Sequence, residues 1–226
     1  MHWRVPWGTL RAVVFWQTGS LFDEKLERLA ALYLEKMMFK PQLITLQRGA
    51  LRIEPLLDGD IPALVSLAEA NREELLYMSG TQRLDWYRLA LQEQREERAL
   101  PFVIRLADQV VGTTRFADFM PTLPAVEIGW TWLDAAQHGT GLNNMVKYLM
   151  LRHAFESWQM VRVQLKTAAS NLRSQRAIEK LGAIREGLLR NHRRLADGRL
   201  DDTVLYSITD QEWPVVKAGL EARFGV

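Results

Sequence analysis

Two glycines one residue apart mark the stretch of this sequence best suited to chemistry, Gln137-His138-Gly139-Thr140-Gly141-Leu142-Asn143-Asn144. A strand-like run, 126–133, precedes it, and a helix-like run, 142–158, follows. A glycine-bearing turn that opens a helix leaves several backbone N–H groups aimed at one spot. The positive end of the helix dipole strengthens the field there, so the spot suits a phosphate. Two well-known phosphate loops do not fit. A Walker A loop ends in Gly-Lys-Ser/Thr, and Leu142 follows Gly141. A dinucleotide fingerprint needs a third glycine where this chain has Asn144. A plain strand-to-helix turn is the competing reading. A second polar pair, Asn171 and Ser174, stands at another strand-to-helix junction, where asparagine is a common helix cap. Cysteine is absent, which excludes thiolate nucleophiles, thiolate metal sites and disulfides. His138, His153 and His192 lack metal-ligand spacing, so no metal is expected.

The elements that must position these residues follow from periodicity and punctuation. Residues 50–56 read as a strand. Asp58 or Asp60 caps a helix through Tyr77 with Pro62 in its first turn, and Thr81 caps a second helix, 82–97. Residues 101–107 and 110–119 form a hairpin turned at Asp108-Gln109, and 125–133 is the next strand. After the glycine turn and helix 142–158 come a strand, 161–167, and a helix, 171–181, stopped by Gly182. A long hairpin, 183–195 and 199–208, turns at Asp197-Gly198. The order β-α-α-β-β-β-α-β-α-β-β predicts an α/β fold with a mixed sheet.

In that order, several short motifs coincide. Glu127-Ile128-Gly129-Trp130-Thr131-Trp132-Leu133 precedes the turn. Asn171-x-x-Ser174-x-x-Ala177-Ile178-Glu179-Lys180-Leu181-Gly182-Ala183 follows the next strand. Glu186-Gly187, Asp202-x-x-x-Tyr206-Ser207-Ile208 and Glu212-Trp213 complete the set. Together they resemble the GNAT acetyltransferase superfamily, in the branch similar to bacterial ribosomal-protein N-terminal acetyltransferases (RimJ/RimL-like), over residues 43–213. The resemblance implies a mixed, mostly antiparallel central sheet flanked by helices, acetyl-CoA as acyl donor, and direct transfer to an amine. The family's pyrophosphate loop, Gln/Arg-x-x-Gly-x-Gly/Ala, is matched with one residue fewer between Gln137 and Gly139. It implies cofactor contact by Gln137, His138, Gly139, Thr140, Gly141, Leu142 and Asn143.

Further roles follow from the resemblance. The strand before the turn would bond the pantetheine arm through its backbone, at Trp132 and Leu133. One aimed donor at the developing oxyanion is worth a few kcal/mol. Of Trp130 and Trp132, one is expected in the core and the other along the acceptor cleft. Glu127 is the expected base, Asn171 a pantetheine contact and Ser174 a donor to the leaving sulfur. The family's tyrosine acid is replaced by Ile178, and Tyr206 is expected to pack. Arg173 and Arg176 are candidates for phosphate contact. The need for a base depends on the acceptor: an α-amine has pKa about 7.7–8.0 and a lysine about 10.4, so a protein N-terminus is partly neutral near pH 7.

Composition bounds the partners. A net charge of +2 gives no polyanion-binding character, and the basic run 190–194 reads as a charged strand edge, so no nucleic-acid partner is expected. No apolar run reaches the roughly 20 residues of a membrane span, and a cytoplasmic protein is expected. Residues 1–42 differ from the rest, with Trp3, Trp7 and Trp16 and a helical pattern over 23–39. They read either as an extension offering homodimer contacts or, if the chain starts at Met37 or Met38, as translated upstream sequence. The domain proper is expected over 43–226.

Overall fold

The sheet is a run of eight strands that is antiparallel at every step but one. In the computed structural model, which describes residues 39–120 and 123–225, the strands stand in the order β1-β2-β3-β4-β5-β6-β8-β7. They are β1 (Leu46–Arg48), β2 (Leu51–Pro55), β3 (Ala99–Leu106), β4 (Gln109–Ala117), β5 (Ala125–Leu133), β6 (Arg162–Ala168), β7 (Ile184–Arg194) and β8 (Leu200–Thr209). Only β5 and β6 are parallel. The expected mixed, mostly antiparallel sheet is therefore present, within a unit spanning Pro41–Val226. The helical pattern of 23–38 lies outside the described residues.

Among the described residues, five α-helices cover the sheet: α1 (Ile61–Ala70), α2 (Leu84–Arg95), α3 (Leu142–Arg152), α4 (Leu172–Lys180) and α5 (Trp213–Phe224). Leu64 and Ala68 of α1 and Tyr87 and Leu91 of α2 join Leu56, Val103 and Trp132 in one buried cluster. Each large apolar side chain there contributes about 1.5–3 kcal/mol by leaving water. Trp213 of α5 stacks on Phe155, ring centroids 5.2 Å apart, and lies 6.4 Å from the ring of Tyr148 in α3. Burial of β3 along most of its length explains its near-continuous apolar sequence, whereas β4 buries Thr113, Thr114 and Arg115 as well.

Three helix boundaries differ from expectation, each for a local reason. The first helix ends at Ala70, not Tyr77. Asn71 stops it: its amide donates back to Leu67 O (2.8 Å) while its Oδ1 accepts from Ala135 N (2.8 Å). The side chain thereby competes with the helix and ties its end to the glycine turn. Thr81 is not the cap of the second helix; its hydroxyl donates to Met78 O (3.1 Å) and the helix begins at Leu84. Helix 142–158 is α-helical only to Arg152 and closes with one π-turn, His153–Ser157. Strand β1 and helix α5 are additions to the expected order.

Candidate active site

β5 and β6 are paired only at Ala125, Val126 and Glu127, opposite Arg162, Val163 and Gln164. Beyond Glu127 the two strands part, and residues 128–133 face a gap instead of a neighbour. On its other side β5 is bulged: the register with β4 slips between Thr113 and Arg115. Trp130 takes up the slack with φ +48°, a left-handed conformation that is rare for an aromatic residue. The Arg115 guanidinium carbon lies 4.3 Å from the Trp86 ring and 5.3 Å from the Trp130 ring, and Arg115 Nη1 donates to Glu93 (3.2 Å). Burial lowers the Arg115 pKa to about 10, against the pull of Glu93. This stack joins α2, β4 and the bulge. Gly112 stands behind it with φ +156°, and a Cβ there would lie 2.1 Å from Trp132 O. Only glycine permits so close an approach of the two backbones.

The gap is a cleft of about 130 Å³. Gly129, Trp130 and Thr131 form one wall, Leu165, Lys166 and Thr167 of β6 another, and Asn171 and Ser174 of α4 a third. Asn143 and Lys147 close it from α3, Arg193 from β7, and Tyr77 and Met78 from the turn after α1. That turn bridges both arms of the sheet. Leu76 O accepts from Ala196 N (3.1 Å) and Tyr77 Oη donates to Ser170 O (3.2 Å). Glu74 pairs with Arg173 (2.7 Å), which holds the Glu74 carboxyl below its ordinary range.

The glycine turn lies beside the cleft. Asp134 caps its first residues by accepting from Ala136 N (3.2 Å), and Thr140 Oγ1 donates to Gln137 O (2.9 Å) and accepts from Leu142 N (3.3 Å). Gly139 and Gly141 have φ of +78° and +87°, and a Cβ on either would meet nothing within 4 Å. The glycines are thus required by the backbone angle, and space lies open before them. Among the described residues, the N–H groups of Gly139, Gly141 and Asn143 donate to no protein acceptor. Three free donors at a helix start suit an anion. His138 Nδ1 is 3.3 Å from Arg173 Nη1, which brings one expected phosphate-contact arginine to the turn.

The remaining expected residues divide. Asn171 and Ser174 face the cleft, and Asn171 also caps α4, its Oδ1 accepting from Ser174 N (3.0 Å). Asn143 faces it as well, whereas the Trp132 side chain belongs to the core cluster and Leu133 is buried. Of the two tryptophans, Trp130 is therefore the one along the cleft. Any contact by Trp132 is left to its backbone. Glu127 is buried and absent from the cleft lining. Gly129 makes room for it, since a Cβ there would sit 2.9 Å from Glu127 Oε1. Burial raises the Glu127 pKa, opposed by the ion pair with Lys166 Nζ (2.6 Å). Burial likewise pulls Lys166 down, but its bonds to Glu127 and Asp118 prevail and its pKa is raised. Tyr206 packs as expected; its hydroxyl donates to Glu179 (3.1 Å), and burial pushes its pKa up to about 12.

Sequence reasoning passed over Lys147. It is 6% exposed, and its Nζ donates to Thr131 Oγ1 (2.6 Å). Burial lowers its pKa to about 7, against the opposing charge of Glu127. The signal was its place on the buried face of α3, one turn before Met150 and Leu151. Among the described residues there is no cluster of three or more potential metal ligands, and no helix is long and apolar enough to cross a membrane.

The Acetyltransferase (GNAT) domain model matches residues 50–184. The chain belongs to the GNAT acetyltransferase family. The chain is 29% identical to the ribosomal-protein-serine acetyltransferase of Escherichia coli (strain K12) over 106 residues, 47% of this chain and 58% of that protein. The matched stretch thus spans little more than half of that relative. A crystal structure from T. thermophilus, assigned as an acetyltransferase, is 35% identical, with TM-score 0.72 over 82% of this chain and 100% of that one. Mycobacterium smegmatis RimJ, solved in complex with CoA-disulfide, shares the fold at 24% identity and TM-score 0.69, over 83% of this chain and 96% of that one.

Proposed function

We propose that the protein transfers an acetyl group from acetyl-CoA directly to a primary amine, with a protein N-terminal α-amine as the acceptor. The observation that carries this reading is the unpaired edge of β5, residues 128–133, opening beside the free N–H groups of Gly139, Gly141 and Asn143. A thioester arm laid along that edge finds backbone donors and acceptors in extended order, while its pyrophosphate meets the turn. Asn171 and Ser174 flank the same gap, and the Ser174 hydroxyl is the candidate donor to the leaving sulfur. Glu127 sits behind the cleft wall, so its share runs through the charge it places beside Lys166 and Lys147. Holding donor and acceptor together makes the step effectively intramolecular, which supplies much of the rate. The E. coli relative, by its name a ribosomal-protein-serine acetyltransferase, supports a protein acceptor here.

Calorimetric titration with acetyl-CoA, repeated on the double variant Gly139→Glu/Gly141→Glu, tests the cradle. Saturable binding in the wild type, weakened about 30-fold or more in the variant, is expected. Thiol release with a panel of peptides and small amines then tests the transfer. A wild type that binds no acetyl-CoA refutes the reading.

A further inference from the structure

We propose that Lys147 is the base that takes the proton from the attacking amine. The inference rests on the acetyl-transfer reading above and assigns a residue that the motifs did not. Geometry separates Lys147 from Glu127. Lys147 lines the cleft and reaches Thr131, the residue after the bulge, on the strand edge where the thioester would lie. Glu127 lines no part of the cleft and is held by Lys166.

The charged groups around Lys147 leave it as the one free to exchange a proton. On β6, Lys166 is bound to Glu127 and Asp118. On β7, Arg193 donates to Thr203 (3.0 Å), and a guanidinium does not give up its proton. From α4 the cleft receives Asn171 and Ser174, and from the turn after α1 Tyr77, none of them charged. Lys147 itself bonds only a neutral hydroxyl, that of Thr131, whose Oγ1 is 2.7 Å from Thr114 Oγ1. Its pKa, lowered to about 7 by burial, leaves about half of it neutral near pH 7. That places it within about one unit of an α-ammonium, the match that general-base catalysis favours.

The balance of the step is simple. The acceptor ammonium gives one proton to the neutral Nζ. The freed lone pair forms the C–N bond at the thioester carbonyl, and the C–S bond breaks with its electrons going to sulfur. The second proton of the nitrogen passes to the thiolate, and Lys147 returns its own to solvent. The products are the N-acetyl amide, the CoA thiol and one proton.

Lys147→Arg and Lys147→Met, compared with the wild type in the full chain, test the assignment. Both are expected to bind acetyl-CoA within about threefold of the wild type and to lose about 100-fold or more in kcat/KM. The wild-type kcat/KM should fall on the acid side with a midpoint near 7, and in both variants that limb should be replaced by the acceptor's own, at about 7.7–8.0. Lys147→Arg retaining wild-type turnover would show that the cleft needs only a cation and would overturn the base. Should either variant fold poorly, the wild type alone still decides. With 13C-labelled lysine, the Lys147 Cε signal should titrate near 7 and move on addition of acetyl-CoA; titration above about 9 overturns the proposal. The two readings fail differently. A wild type that neither binds acetyl-CoA nor releases thiol overturns both, whereas an active enzyme indifferent to Lys147 overturns only this one.

Discussion

The glycine turn and the bulge use the same residue type for opposite reasons. Gly139 and Gly141 have positive φ and face open space, so their lack of a side chain serves the backbone angle and keeps the donors bare. Gly112, behind the bulge, is pressed against Trp132 O, so its lack of a side chain serves contact between two strands. The turn is a local device, complete within eight residues. The bulge exists only because β4, β5 and α2 meet, with Arg115 held between Trp86 and Trp130. A site built from both has one part that can change without unfolding the protein and one part that cannot.

The comparison is broken most severely at Gly112. Gly112→Ala is expected to cost about 4 kcal/mol or more, because a Cβ 2.1 Å from a carbonyl oxygen must displace a strand. A denaturant midpoint within error of the wild type would mean that the bulge is soft. Lys147 comes next, as a buried charge at the same place. Its folded pKa, about 7, lies below the unfolded value of 10.5, so the unfolded chain binds more protons between those pH values. Stability therefore rises with pH across that window, and below pH 7 the full cost of burying the ammonium is present. Lys147→Met should accordingly stabilise the protein by a few kcal/mol at pH 6 and lose that advantage as pH climbs from 7 towards 10.5. Parallel melting curves at pH 6 and pH 10 with an unchanged difference would count against a neutral lysine. The smallest effect belongs to the turn. Gly141→Ala should cost only about 1 kcal/mol, since its methyl meets nothing, yet weaken acetyl-CoA binding by tightening the cradle. A loss of stability as large as at Gly112 would erase the distinction.

Sequence legibility follows the same division. Strands β2 to β8 and helices α3 and α4 were readable because each carries its period and its punctuation: Gly182 past α4, Asp197-Gly198 between β7 and β8, the two glycines before α3. Helix α5 has a readable stripe in Trp213, Val216 and Leu220, all buried, although its Glu-Trp pair is the feature that stands out in the sequence. The early end of α1 was harder to see. Asn71 looks like one polar residue in a helical stretch, and its reason for stopping the helix is the N–H of Ala135, distant in sequence.

From its sequence alone the chain determined its family, its order of elements from β2 to β8 and the glycine turn, because these rest on short-range periodicity and on backbone angles that particular residues permit. Asn171 as a helix cap belongs to the same class. The cleft was decided by tertiary structure. Which tryptophan faces it depends on a bulge that interrupts the strand's alternation at Trp130. Whether Glu127 meets solvent depends on Lys166 from the neighbouring strand. Lys147, an ordinary helix residue by type, acquires a pKa near 7 only when β5, β6, β7 and α4 close around it and remove the water that would otherwise keep it charged.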